Sequence, residues 1–278
     1  DPVPMSTRVQ EQALDGIGLH KSPGSPAPSG SGSGLMRDPF VSVIIPVLRD
    51  ADALAALLEV LHPTTDVEVI VAPGDAGDPA LGPVRRAWPV VQWIDGPRGR
   101  GRQMNAGGAR AVGQWLLFLH ADARLNDGWL DEIRRAAEAG AVGGCYRLEI
   151  DSPLWQARLI ERGGRCRGRW LGIAYGDQGL FIRRDLFHTV GGYRAIPVME
   201  DLDLVRRMRR HGRLHCSPLG VSVSARRWER DGWMRRTVSN LWILLLYLTG
   251  RSPDRLAASY PAWPGPGRPP GGDGDASR

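Results

Sequence analysis

Lysine is nearly missing from this chain. Lys21 is the only one, so arginine supplies almost all of the positive charge behind a formal net charge of +6. Arginine forks match phosphate and carboxylate oxygens bidentately, which suits phosphorylated ligands or anionic surfaces; a GC-rich genome would produce the same excess. Charge balance alone therefore decides no function. Cysteine is also scarce. Cys145, Cys166 and Cys216 are odd in number, far apart and without CxxC spacing, which argues against a structural metal site or a disulfide framework and points to a reducing cytoplasm. Long apolar runs are absent. The longest, Leu241 to Leu248, falls well short of the roughly 18–20 residues of a spanning helix. The N-terminus lacks the basic, apolar, small-residue order of a signal peptide. Segment 233–249 is expected to be a buried helix that leaves room for peripheral contact at the inner face of a membrane.

Apolar residues make up 42% of the 278, ordinary globular usage and enough for one α/β core. Residues 1–37 carry the tract SPGSPAPSGSGSG, which cannot bury enough apolar surface to offset the entropy of ordering it. They are expected to form a disordered leader, with Met36 a candidate start. The Pro/Gly-rich residues 261–278 are expected to be a disordered tail. The folded domain should occupy 38–260, with a donor-binding half at about 38–125 and an acceptor or catalytic half at about 126–260. Within it, VSVII (41–45), VEVIVA (67–72), VVQWI (90–94) and WLLFLH (115–120) read as buried strands. They alternate with helical patterns at 51–61, 102–112 and 126–140, the last with Asn126 as its cap and a glycine stop. This is the signature of βαβ units and a mainly parallel sheet. Further strands are expected near 142–150 and 178–183, and helices near 200–211 and 231–249.

In open α/β sheets ligands bind beyond the carboxyl ends of the strands. Four places qualify here: Pro46, Gly74-Asp75, Asp95-Gly96-Pro97 and His120-Ala121-Asp122. Asp122 is the most specific, because a carboxylate ending an apolar strand can give a divalent ion one hard oxygen and leave room for substrate phosphates. A plain turn aspartate is its bland alternative. Met199-Glu200-Asp201 opens an amphipathic helix. Capping and the helix dipole favour carboxylates there in any case, but a carboxylate facing the sheet ends can also act as a general base toward a hydroxyl.

Seven segments then fall into a familiar order: IIP with Pro46, RQMNAG (102–107), LLFLHAD ending at Asp122, YGDQGLFIRR (175–184), GGY (191–193), MED ending at Asp201, and ARRWERDG (225–232). Together they resemble family-2 glycosyltransferases of GT-A fold. The likeness is greatest to the bacterial radical-SAM/selenodomain-associated transferase 2 group, some of whose members are named arsenosugar biosynthesis glycosyltransferases. The resemblance implies an inverting enzyme that takes a sugar from a nucleotide-diphosphate donor to a hydroxyl acceptor, with Mn2+ or Mg2+ on the diphosphate. By the same likeness Asp122, with His120 in the place of an additional Asp, would hold the metal. Asp201 would be the base and Glu200 its neighbour. Pro46, Arg102 and Asn105 would face the donor, and Asp177, Gln178, Arg227 and Trp228 would lie on the acceptor or diphosphate side. One departure stands out. Pro73 occupies the place of the aspartate that usually contacts the nucleobase, and proline offers neither a side-chain acceptor nor an N–H. Either Asp75 takes over, with Asp78 near the base or ribose, or the base is read loosely through phosphate contacts.

Rival readings are weaker. A dinucleotide-dependent dehydrogenase needs G-x-G-x-x-G after the first strand, and PVLRDADAL stands there. A sugar-phosphate nucleotidyltransferase would carry a Gly-rich basic loop at the same place. An arginine-rich nucleic-acid module lacks interleaved aromatics, and helical spacing scatters Arg206, Arg207, Arg209 and Arg210 around their helix.

Overall fold

The computed structural model describes residues 38–96, 98–168 and 172–259. The expected leader (1–37) and tail (261–278) lie outside them. The first strand, β1 (Val41–Val47), is buried at every position but Pro46. With both faces covered it needs no polar side, which is why it reads as a continuous apolar run. β2 (Val67–Pro73) and β4 (Trp115–Phe118) flank it in parallel, and β3 (Gln92–Trp93) extends the sheet beyond β2. The crossovers are α1 (Ala51–Leu61), α2 (Leu81–Ala87) and α3 (Arg100–Arg110). The chain continues through β5 (Arg124–Leu125), α4 (Trp129–Glu138), β6 (Gly143–Asp151), α5 (Trp155–Cys166), a 3₁₀ turn (Gly176–Gln178), β7 (Leu180–Arg183) and α6 (Arg184–Thr189). It ends with α7 (Glu200–Met208), β8 (Leu214–Ser224), α8 (Arg226–Asp231), α9 (Trp233–Leu248) and α10 (Pro253–Ser259). The eight strands form one sheet in the order β3-β2-β1-β4-β7-β6-β8-β5. β7 is antiparallel to β4 and β6, β8 is parallel to β6, and β5 is antiparallel to β8. The α/β class and mostly parallel sheet are as the alternating pattern predicts.

α3 brings the site to the sheet, and glycine lets it come close. A Cβ on Gly107 would overlap the side chain of Ile44, and one on Gly108 would strike the ring of Phe187. The pair therefore seats the helix on β1 and on the Phe118–Phe187–Tyr193 aromatic cluster.

Several elements differ from expectation. The run 90–94 yields only the two-residue β3, and Val90 is 67% exposed. The helix expected from Asn126 begins at Trp129 on Gly128 in a left-handed conformation (φ 81°); Asn126 instead donates its side-chain amide to Glu149. Its glycine stop is present: Gly140 N–H bonds Ala137 O and Ala141 N–H bonds Ala136 O, the paired closure of a left-handed helix cap. The helix expected over 231–249 breaks at Gly232, whose φ of 84° separates α8 from α9, and α9 is not the buried helix that its apolar run predicts: Ile243 and Leu244 alone are buried in it.

Helix propensity alone would make Gly→Ala stabilising. Gly107→Ala is expected instead to lower unfolding stability by about 1–3 kcal/mol, the usual cost of overpacking. Gly163→Ala, in α5 with nothing near its would-be Cβ, is expected to raise stability by about 0.5–1 kcal/mol. Denaturant titration of both variants checks the contrast.

Candidate active site

The carboxyl ends of β1 and β4, the start of α3 and the first turn of α8 enclose a cavity of about 900 Å³. Among the described residues its walls carry Arg49, Arg98, Arg100, Arg226, Arg227 and Arg230 against two carboxylates, Asp50 and Asp122. Such a surplus of guanidinium groups attracts a polyanion. Asp50 senses the charge of Asp122. Burial raises the Asp50 acid above the usual carboxylate range and the charge of Asp122 adds to the rise, while Arg226 and Arg227 oppose it.

Arg100 joins this cavity to the start of α7. Its Nε donates to Glu200 Oε1 at 2.8 Å, its Nη2 donates to Asp201 Oδ2 at 2.7 Å and also pairs with Glu200, and its Nη1 meets His120 Nε2 at 3.3 Å. Burial opposes its charge, but Asp201 and Glu200 outweigh that and push its pKa up. α7 begins from Met199, a non-glycine residue in the left-handed region (φ 64°). Strain of this kind is typical of functional positions, and here it sets the angle at which Glu200 and Asp201 enter the site.

Asp201 is buried, and its Oδ1 has no hydrogen-bond partner among the described residues. Burial lifts its acid to about 6. Arg100 and the Gly176 N–H hold it down, and the Glu200 and Asp177 carboxylates push it further up. Asp177, in the 3₁₀ turn, is also raised by burial, with Arg167, Arg100 and Arg227 pulling the other way. Three carboxylates and one guanidinium thus converge where the turn before β7 meets the start of α7.

Other expected residues sit differently. His120 lines the cavity, but burial and the charges of Arg100 and Arg227 drive its pKa well below the imidazole range. The neutral ring faces a guanidinium through Nε2, an unfavourable place for a cation, so the geometry does not suit His120 as a metal ligand. Pro46 lines the cavity. Arg102 is exposed and outside its lining; Arg100, two residues earlier, takes that place. Asn105 forms a two-bond latch, donating to Tyr193 O at 2.7 Å and accepting from Tyr193 N–H at 2.8 Å. Asp75 Oδ1 caps the Gly77 N–H and Asp78 Oδ1 the Ala80 N–H, and neither residue lines the cavity. Gln178 accepts from Tyr175 N–H and donates to Tyr146 O, fixing the 3₁₀ turn to β6. Of the Arg227-Trp228 pair, Arg227 faces the cavity, while Trp228 is buried and stacks on Trp233. Arg100 and Asp50 went unremarked in the sequence, although RGRG (98–101) is a glycine-spaced basic turn at a strand end and Asp50 precedes α1.

No three His, Cys, Asp or Glu side chains cluster as a metal cage among the described residues. Asp122 and Asp50 instead offer the donor set typical of an ion held by one or two carboxylates plus substrate phosphates.

A model of glycosyl transferase family 2 matches residues 42–199. The PGL/p-HBAD biosynthesis glycosyltransferases of Mycobacterium bovis (strain BCG / Pasteur 1173P2) and Mycobacterium tuberculosis (strain ATCC 25177 / H37Ra) are each 29% identical over 177 residues, covering 57% of this chain and 64% of theirs. The chain thus spans less than two thirds of these relatives. The mannosyltransferase PcManGT from Pyrobaculum calidifontis, in complex with GDP-Man and Mn2+, superposes with a TM-score of 0.52 at 18% identity, over 68% of this chain and 57% of that one. S. aureus TarS 1–349 gives 0.52 at 15% identity, over 79% and 70%. These likenesses carry the GT-A fold. With a family model matching more than half of its length, the chain belongs to glycosyltransferase family 2.

Proposed function

We propose that the protein transfers a sugar from a nucleotide-diphosphate donor to a hydroxyl acceptor with inversion at the anomeric carbon. The observation that carries this reading is the junction at Arg100, where an arginine-lined cavity with Asp122 in its wall meets a buried carboxylate whose acid is raised to about 6. A base poised near neutral pH can take a proton without surrendering it at once. Asp201 Oδ1 is the accepting atom, since Oδ2 is held by Arg100. Arg100, Arg226 and Arg227 receive the diphosphate, and their fixed positive charge stabilises the leaving group as negative charge builds on it. A divalent cation, Mn2+ or Mg2+, would be held by Asp122 with Asp50 beside it, and when bound would neutralise the same charge. The structural neighbour PcManGT is described in complex with GDP-Man and Mn2+, the class of donor and cation proposed here. With Pro73 at the usual base contact and Asp75 committed to its turn, the donor is recognised chiefly through its phosphates. The finer assignment to the radical-SAM/selenodomain-associated group rests on motif order.

The acceptor side has a further feature. Met234, Val238, Leu241, Trp242, Leu245 and Leu248 form one stripe of α9 and are 44–64% exposed. At its N-terminal end lie the exposed Arg226, Arg230 and Arg235. No helix among the described residues is long and apolar enough to cross a membrane. An apolar stripe rimmed by arginine fits an anionic bilayer surface, and it supports the reading that the enzyme works at the inner face of a membrane on an acceptor presented there.

Asp201→Asn is expected to reduce transfer roughly 10²-fold while leaving nucleotide binding near normal; unchanged turnover would remove Asp201 from the mechanism. In the native enzyme kcat/KM should fall as pH drops through about 6, because the protonated acid cannot accept a proton. Asp122→Ala should weaken Mn2+-dependent binding of a nucleoside diphosphate far more than binding of the nucleoside, measured by calorimetry; equal losses would give Asp122 a structural role. Leu241→Ser combined with Trp242→Ser should cut co-sedimentation with phosphatidylglycerol vesicles at least about tenfold, in line with the apolar area removed. Unchanged sedimentation, or loss of a dimer in its place, would contradict the membrane placement.

A further inference from the structure

Two of the three cysteines, distant in sequence, are neighbours in the sheet. Cys145 on β6 pairs in parallel register with Cys216 on β8. In-register residues of adjacent strands project to the same face with Cα atoms about 5 Å apart, inside the range that a disulfide spans. Both line one cavity of about 350 Å³ on the far side of β6 from Tyr146 and the α4 core, so the two sulfurs share a space that a small molecule can enter. Their settings differ. Cys145 is buried beside Ala174, Leu180 and Val205, whereas Cys216 is exposed and its thiol donates to Gly168 O at 3.9 Å.

We propose that Cys145 and Cys216 form a peroxide-responsive dithiol, with Cys216 as the attacking sulfur and Cys145 as the resolving one, separate from the transfer site. Exposure divides the roles, since Cys216 is open to solvent and Cys145 is buried. The interaction between the two sulfurs raises the Cys145 thiol, and burial raises it further. The same interaction is the largest influence lowering the Cys216 thiol, against the opposing pull of burial, and the charges of His215 and Arg209 assist it. His215 is in turn paired with Glu132, whose carboxylate also bonds Arg135, so the positive charge near Cys216 is partly offset. Cys216 is thus the sulfur with the lowered pKa and the one within reach of solvent, the combination that makes a cysteine reactive.

The chemistry closes with one hydroperoxide. The Cys216 thiolate attacks the terminal peroxide oxygen; an S–O bond forms, the O–O bond breaks, and the alkoxide leaves and takes a proton from water. Cys145 then attacks the sulfenic sulfur. The S–S bond forms, the S–O bond breaks, and hydroxide departs with the Cys145 proton as water. In total two thiols and one hydroperoxide give a disulfide, an alcohol and water, with the sulfurs losing the two electrons that the peroxide gains. The bond would tie β6 to β8 behind the 3₁₀ turn that carries Asp177.

The full chain, treated with tert-butyl hydroperoxide under native conditions, alkylated and digested, should yield a peptide linked between Cys145 and Cys216, with Cys166 alkylated and the link reversed by dithiothreitol. Before oxidation Cys216 should be alkylated at neutral pH roughly tenfold faster than Cys166, as its larger thiolate fraction implies. Cys216→Ser should abolish the link and leave Cys145 reduced. Cys145→Ala, or Cys145→Ser if alanine impairs folding, should leave a Cys216 sulfenic acid that dimedone traps. Three alkylatable thiols after peroxide, a link through Cys166, a link only between chains, or Cys216 driven to the sulfinic acid in the native chain would each overturn the proposal.

Discussion

The architecture of the site depends on one half-buried guanidinium. Arg100 stands at the first position of α3 and reaches two carboxylates at the first positions of α7 and a histidine beyond β4. These groups come from widely separated parts of the chain. Removing one partner of a buried charge cluster leaves the others uncompensated, which costs far more than the cluster adds when complete. The same arrangement explains the electrostatics. Asp201 rises because it is buried among carboxylates, yet Arg100 keeps its rise moderate, and His120 stays neutral largely because it is buried beside that guanidinium. Two helix starts meet at this point, so the ends of α3 and α7 define one corner of the active site.

Much of the N-terminal half is legible in the sequence because its strands are buried on both faces. β1, β2 and β4 appear as apolar runs, and the polar residue after each run marks the sheet edge where ligands bind. Asp122 follows from that rule, and Asp201 from its place at a helix start and from the family likeness. What the sequence conceals are choices between near neighbours. Arg100 and Arg102 differ by two positions at a helix start, and only the direction of the first turn decides which one enters the cavity. Asn105 and Gln178 look like ligand-binding amides, but both spend their hydrogen bonds on the backbone of adjacent segments. Asp75 and Asp78 satisfy the turn that contains them, a use of aspartate that no spacing separates from a ligand contact. The second half is harder still. β8 contains Pro218 and a broken apolar pattern, and its place between β6 and β5 depends on pairings across long separations.

Those pairings also changed the meaning of the cysteines. An odd set with wide spacing gives no reason to expect a relationship between any two of them, and parallel strand addition supplies one through register alone. Arginine shows the reverse case. Its abundance carries no functional signal in composition, yet six of these side chains gather on one cavity wall. Composition limits what a chain can bind, while topology decides where.

β8 has a consequence for how the molecule is made. It is the neighbour of both β6 and β5, which are synthesised long before it. Until residues 214–224 have left the ribosome, β6 has an open, hydrogen-bonding edge and the two-residue β5 has no strand partner. The family segment 42–199 contains neither β8 nor α7, so it covers the evolutionary signature without being able to complete the sheet. Non-local closure of this kind is slow. The first four sheet strands can assemble during translation, while the part of the sheet that carries β8 is completed only after residues 214–224 have emerged.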